Sequence, residues 1–177
     1  GEGEAQAAYL VSKGDAWAVA SQDYDCLLFG AKRVIRNLAV NSNLGNLEYY
    51  ELKKVLSSLN ITQEELIDMG ILIGTDFCEG LKGVGAKTAL KLAKNNQLKE
   101  KIAELQKETT HDLKEVHDIF LNHEVNTDYK IKFEKVKQDK LIEFLCYEHG
   151  FSQDRVIKAS DKLKNLSSNQ GSLDAWF

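Results

Sequence analysis

The chain contains no proline, where ordinary usage of ~5% would supply about nine. Cysteine is scarce as well. Cys26, Cys78 and Cys146 are widely spaced and form no C-x-x-C, which excludes a disulfide scaffold and a zinc ribbon and suits reduced thiols inside a cell. No apolar run approaches the ~20 residues of a membrane span. The opening Gly1-Glu2-Gly3-Glu4 has neither the basic start nor the apolar stretch of a signal peptide. An overall basic excess is also missing: the formal net charge is −4. That is not the bulk footprint of a nucleic-acid binder.

What is present is a soluble-globular composition, 43% hydrophobic and 28% charged over 177 residues, enough for a sizeable core. Abundant asparagine argues mildly against a hyperthermophilic source. The charges are unevenly spread. Residues 1–30 hold Glu2, Glu4, Asp15, Asp23 and Asp25 against Lys13 alone. Residues 82–107 hold seven lysines against Glu100 and Glu104. Opposite poles of this kind suit a metal site beside a phosphate track, although solvated helix faces would look the same.

The local patterns alternate between strand and helix. Residues 4–13 read as a helix stopped by Gly14, and Ala16–Ala20 as a short buried parallel strand. Cys26–Phe29 reads as a turn or short helix, Arg33–Leu38 as a strand, Leu47–Tyr50 as a short strand and Glu51–Leu59 as a helix. Thr62-Gln63-Glu64-Glu65 is a capping box opening an apolar helix to Ile73. Residues 95–122 are helical and polar. Tyr129–Phe133 alternates like an exposed strand. Lys140–His149 and Ser152–Leu166 read as helices, with Ser152 as N-cap, before a Ser/Asn/Gln/Gly linker at 167–171.

Five carboxylates stand out: Glu2, Glu4, Asp23, Asp25 and Asp76. On a regular helix Glu2 and Glu4 would diverge by ~200°, so they converge only where Glu2 precedes the helix and Glu4 opens it. The alternative is simple compensation of the helix dipole. Asp23 and Asp25 follow a strand, where an extended chain would point both one way. The alternative there is a turn using aspartate for local backbone bonds. Asp76 follows an apolar helix, where the dipole disfavours an acid; a loop aspartate is the alternative. Oxygen donors without histidine or cysteine select Mg²⁺ or Mn²⁺ over zinc. His111, His117 and His123 recur at a spacing that scatters them around a helix, so they read as surface residues.

Leu81-Lys82-Gly83-Val84-Gly85-Ala86-Lys87 has the form of a helix-hairpin-helix turn. Its glycines let backbone N–H groups approach phosphate at a helix start, with Lys87, Lys91 and Lys94 along one face. At the terminus, Gln170, Leu173, Trp176 and Phe177 make a Gln-x-x-Leu-x-x-aromatic-aromatic peptide. It can serve as a hydrophobic plug for a partner or as a tail docked on its own domain.

Taken together, Glu-Gly-Glu-Ala-Gln-Ala (2–7), Ser-Gln-Asp-Tyr-Asp-Cys (21–26), Gly-Thr-Asp-Phe (74–77), Lys-Gly-Val-Gly-Ala-Lys (82–87) and the terminal peptide resemble the flap endonucleases, structure-specific 5′ nucleases of DNA replication and repair. The resemblance runs the length of the chain and looks more archaeal than eukaryotic. It implies an α/β, PIN-like nuclease core at 1–60, here partial with the N-terminal half absent. It further implies a helix-two-turn-helix DNA-binding element at 61–95, C-terminal helices at 96–166, and a clamp-binding tail at 167–177. It implies a metal-dependent 5′-flap endonuclease and 5′-3′ exonuclease, with two Mg²⁺ ions (Mn²⁺ substituting) on Glu2, Glu4, Asp23, Asp25 and Asp76. Lys82, Gly83, Gly85, Lys87, Lys91 and Lys94 would grip DNA, with potassium at the hairpin. Some relatives carry a serine at the position of Gly80 whose oxygen joins that ion. The partners implied are DNA bearing a 5′ flap, a sliding clamp that receives Gln170, Leu173, Trp176 and Phe177, and a second polypeptide or fragment carrying the other nuclease half. The location implied is cytoplasmic for an archaeal source and nuclear for a eukaryotic one, with no membrane role. Two rivals remain: a non-catalytic module tethering DNA to the clamp, and a related 5′ nuclease with another junction preference.

Overall fold

The computed structural model describes residues 2–38, 46–132 and 134–169, the last five by backbone alone. Two units are present, 1–127 and 128–177. In the first, α1 (Gly3–Lys13) ends at Gly14, whose φ of 87° lets the chain close a left-handed cap onto Leu10 and Val11. Strand β1 (Val19–Ala20) follows, then α2 (Asp25–Leu28), β2 (Arg33–Arg36), β3 (Glu48–Glu51) and α3 (Leu52–Leu59). The sheet order is β1-β2-β3, with β1 parallel and β3 antiparallel to β2. This is the α/β pattern expected. The first strand is shorter than predicted because Trp17 turns outward at 42% exposure and leaves only Val19 buried.

Thr62 caps α4 (Gln63–Ile73) through the anticipated reciprocal box with Glu65. Then come α5 (Ala86–Lys94), α6 (Leu98–Glu108) and α7 (Leu113–Leu121). The core of this unit gathers Ala5, Ala8 and Val11 of α1, Val34 of β2, Ile67, Ile71 and Leu72 of α4, and Phe120 of α7. Cys26 and Cys78 are buried within it, as small apolar fillers.

The second unit carries α8 (Gln138–Ile142), which continues as a π-helical stretch over Glu143–Glu148, and α9 (Gln153–Asn169). Gln138 ties α8 to α9 by donating to the Ser160 hydroxyl at 2.8 Å. The alternation at 129–133 forms no strand among its described residues, 129–132. A period-2 pattern needs a neighbouring strand to complete its ladder, and none pairs there. Among the described residues, no helix is long and apolar enough to cross a membrane.

Candidate active site and hairpin

Three helix boundaries of the first unit bring the five carboxylates to one cleft of about 60 Å³, lined by Glu2, Glu4, Asp23, Asp25 and Asp76 with Phe29 and Phe77. Glu2 is the extended N-cap residue of α1 and Glu4 lies in its first turn. Two acids at this spacing converge only in that arrangement. The Glu2 side chain makes no capping bond.

The aspartate pair converges for a different reason from the one expected. The chain is not extended there. Tyr24 adopts helical angles, Asp25 opens α2, and the Asp23 N–H donates to the Ser21 hydroxyl at 3.1 Å. Ser21, and not either aspartate, makes the turn's side-chain bond.

Asp76 sits at the tip of a two-residue reversal beyond α4. Thr75 and Cys78 exchange backbone hydrogen bonds across it at 3.0 and 3.3 Å, and the Phe77 N–H donates to the Thr75 hydroxyl. Gly74, at φ 112°, makes the preceding bend.

None of the five carboxylates has a hydrogen-bond or ion-pair partner among the described residues. Asp25 is held above the ordinary carboxylate range, first by burial and then by repulsion from Asp76, Asp23 and Glu4. The burial has a visible source. Phe29 and Phe77 line the cleft and pack on Phe120, with ring centroids 4.9 and 5.4 Å apart. Sequence reasoning missed this apolar floor. Phe29 and Phe77 were legible only as hydrophobics beside acids.

A hard divalent cation answers the chemistry of this donor set: oxygen donors only, partnerless, mutually repelling and partly desolvated. Among the described residues, however, no group of three or more His, Cys, Asp or Glu side chains is arranged so that it could hold a metal ion by itself.

The hairpin is built on the same end of α4. The Leu81 N–H donates to the Leu72 carbonyl at 2.9 Å, and Leu81 is buried. Leu81 to Val84 then closes a turn at 3.0 Å with Gly83 at φ 85°, as a type II turn requires at its third residue. Gly85 is the N-cap of α5 and offers no side chain. A Cβ at Gly83 or Gly85 would meet nothing within 4 Å, so the bare backbone faces open space. Lys82, Lys87, Lys91 and Lys94 are exposed and enter no ion pair among the described residues.

Position 80 has room only for glycine. A Cβ there would lie 2.3 Å from the Ile73 carbonyl carbon and 2.5 Å from the Gly74 nitrogen. A serine does not fit this backbone, so no side-chain oxygen can come from position 80.

Two of the three histidines differ from the surface reading. His117, on α7, lies 3.4 Å from Asp68 and is half-buried, while His123, just beyond α7, meets the Phe120 carbonyl at 3.1 Å and the edge of Phe29. His111 is exposed, as expected. Gln170, Leu173, Trp176 and Phe177 lie outside the described residues.

Comparison with known proteins agrees with the geometry. The XPG I-region family matches residues 1–76. A protein named flap endonuclease 1 from Methanobrevibacter smithii is 73% identical over 177 residues, covering 100% of this chain and 54% of the relative. Over its whole length the chain is similar to flap endonucleases. The flap endonuclease 1 of Methanothermobacter thermautotrophicus is 51% identical and is likewise covered over 54% of its length. The flap endonuclease-1 structure from Methanococcus jannaschii superposes with a TM-score of 0.83 at 41% identity, covering 96% of this chain and 52% of that one. The catalytic core of Rad2, solved in complex with DNA substrate, shares the fold at a TM-score of 0.70 and 22% identity, covering 92% of this chain and 62% of that one. The chain thus spans about half the length of the flap endonucleases it matches and corresponds to their C-terminal portion.

Proposed function

We propose that this chain supplies the C-terminal half of a Mg²⁺-dependent 5′-flap endonuclease and 5′-3′ exonuclease of DNA replication and repair. Glu2, Glu4, Asp23, Asp25 and Asp76 are its share of the metal ligands. The observation that carries the reading is the convergence of five partnerless carboxylates on one cleft, on the unit that also bears the glycine hairpin. Divalent ions held there would supply an activated water and charge stabilisation for the leaving oxygen. The chain's own groups have simpler tasks. The carboxylates bind and orient the cations and exchange no proton. Phe29 and Phe77 keep water from one side of Asp25. The further ligands that a closed site needs come from the remaining part of the protein.

The hairpin binds duplex phosphate without reading bases. Gly83 and Gly85 expose backbone N–H groups at the start of α5, where the helix dipole favours an anion. Lys82, Lys87, Lys91 and Lys94 add mobile positive charge. A potassium ion at this hairpin would draw its oxygens from positions other than 80. The terminal Gln170, Leu173, Trp176 and Phe177 would engage a sliding clamp. The division into a core at 1–60, a DNA element at 61–95, helices at 96–166 and a tail at 167–177 belongs to the same proposal. So does a cytoplasmic location in an archaeal cell. A module that only tethers DNA to the clamp would need the hairpin and the tail, but it gives the clustered acids no task.

Complementation tests the proposal. The chain alone should leave a 5′ flap intact with Mg²⁺. Addition of a polypeptide covering the rest of a flap endonuclease should restore cutting, and Asp25→Asn or Asp76→Asn should abolish it. A complemented Asp25→Asn protein that cuts at the wild-type rate would refute the ligand assignment.

A further inference from the structure

The loop carrying Asp23 and Asp25 has its own clamp. Neither aspartate makes a side-chain hydrogen bond, so the direction of both is set by the backbone of 22–25. That backbone is anchored to β2 twice. The Ser21 N–H donates to the Ile35 carbonyl at 3.2 Å, and Arg36 Nε donates to the Gln22 carbonyl at 2.9 Å. Arg36 also donates to the hydroxyl of Tyr24, the residue between the two aspartates, and its guanidinium lies 3.9 Å from the centre of that ring.

Arg36 is itself seated from the other side. It pairs with Glu48 of β3 at 2.8 Å, and Glu48 accepts a second bond from the Tyr50 hydroxyl at 3.0 Å. Tyr50 meets Tyr24 edge-on at 5.7 Å. The antiparallel register that places Arg36 opposite Glu48 thus reaches the carboxylate loop through one planar fork. The fork serves a carbonyl, a hydroxyl, a carboxylate and a ring face together. A lysine at 36 would keep the charge but could not serve all four. The guanidinium cannot ligate a cation, so its role is to hold others.

We propose that Arg36, seated on Glu48 and Tyr50, is a positioning residue that fixes the Gln22–Asp25 loop so that Asp23 and Asp25 present their carboxylates to a divalent cation. The inference rests on the metal reading above.

The test measures Mn²⁺ binding to the complemented protein by calorimetry and amide hydrogen exchange along this chain. Four proteins are compared: wild type, Asp25→Asn, Arg36→Lys and Tyr24→Phe. Asp25→Asn tests the metal reading, and Mn²⁺ binding equal to wild type there removes that reading and this proposal with it. With that arm passed, Arg36→Lys should bind Mn²⁺ about tenfold or more weakly, as removal of an outer-shell partner does. Amides of 22–25 should exchange faster, while those of α1 and α4 stay protected. Tyr24→Phe, which keeps the ring and loses one acceptor, should show a smaller loss in the same direction. Wild-type affinity in Arg36→Lys overturns the proposal. So does a loss of protection spread evenly through α1 and α4, which marks a merely structural role. If Arg36→Lys does not fold, Tyr24→Phe decides, and unchanged Mn²⁺ affinity in that variant overturns the proposal.

Discussion

Alanine placed in turn at Gly80, Gly83 and Gly85 should give three different costs, because the three glycines do three different things. At Gly80 the new Cβ would stand 2.3 to 2.5 Å from backbone atoms of Ile73 and Gly74. These belong to the end of α4 and its cap, so no flexible side chain can swing aside. Either α4 or the Asp76 turn must move. Overpacking against backbone belongs at or above the upper end of the usual ~1–3 kcal/mol range. For a unit of this size each kcal/mol lowers the melting temperature by roughly 3–5 °C, so Gly80→Ala should cost about 10 °C or more. At Gly83 the Cβ meets nothing, but the φ of 85° forces an L residue into the left-handed region. That costs about 1–2 kcal/mol. At Gly85 there is neither contact nor positive φ, and the loss of a good N-cap is offset by a stiffer unfolded chain, leaving about 0.5 kcal/mol or less. Urea denaturation followed by circular dichroism gives all three values, and the expected order of cost is 80, then 83, then 85. Affinity for duplex DNA should break that order, since Gly85→Ala puts a methyl group where phosphate would approach. A Gly80→Ala chain as stable as Gly85→Ala would refute the close packing by which the Asp76 turn and the hairpin share one helix end.

Three further outcomes follow from the site. Lys87→Ala with Lys91→Ala should make the log–log salt dependence of duplex binding shallower by up to about two, at ~0.9 per phosphate released, and an unchanged slope would mark these lysines as a solvated face. Because folding raises the Asp25 pKa above 3.8, its contribution to stability is complete below 3.8 and lost as pH rises through the folded value. In chelator at pH 7, Asp25→Asn should therefore melt higher than wild type, with the difference vanishing in acid; a lower melting point at pH 7 would contradict the burial and repulsion argument. Trp176→Ala with Phe177→Ala should weaken sliding-clamp binding at least about tenfold, or ~1.4 kcal/mol, without affecting clamp-independent cutting, and equal calorimetric affinities would exclude the clamp assignment.

Much of the α/β order was legible because it rests on local signals. The capping box at Thr62, the glycine stop at Gly14 and the glycine turn at 83–85 each settle their own backbone. The five carboxylates were legible as residue types and spacings. The reason the aspartates converge was not, since Tyr24 takes helical angles where an extended chain was expected. Long-range features escaped for another reason. The apolar floor of Phe29 and Phe77, the Arg36–Glu48 seat and the close approach of Gly80 to Ile73 join residues that no local pattern connects. The alternation at 129–133 misled because a period of two states a preference, while a strand needs a partner.

Whether the cleft of Glu2, Glu4, Asp23, Asp25 and Asp76 holds divalent cations is decided by anomalous diffraction from crystals of the complemented protein soaked in Mn²⁺. Anomalous density within coordination distance of Asp25 and of at least one other carboxylate of the cleft, lost in Asp25→Asn, is the expected result. Ordered Mn²⁺ elsewhere in the same crystals, with none in this cleft, would contradict it.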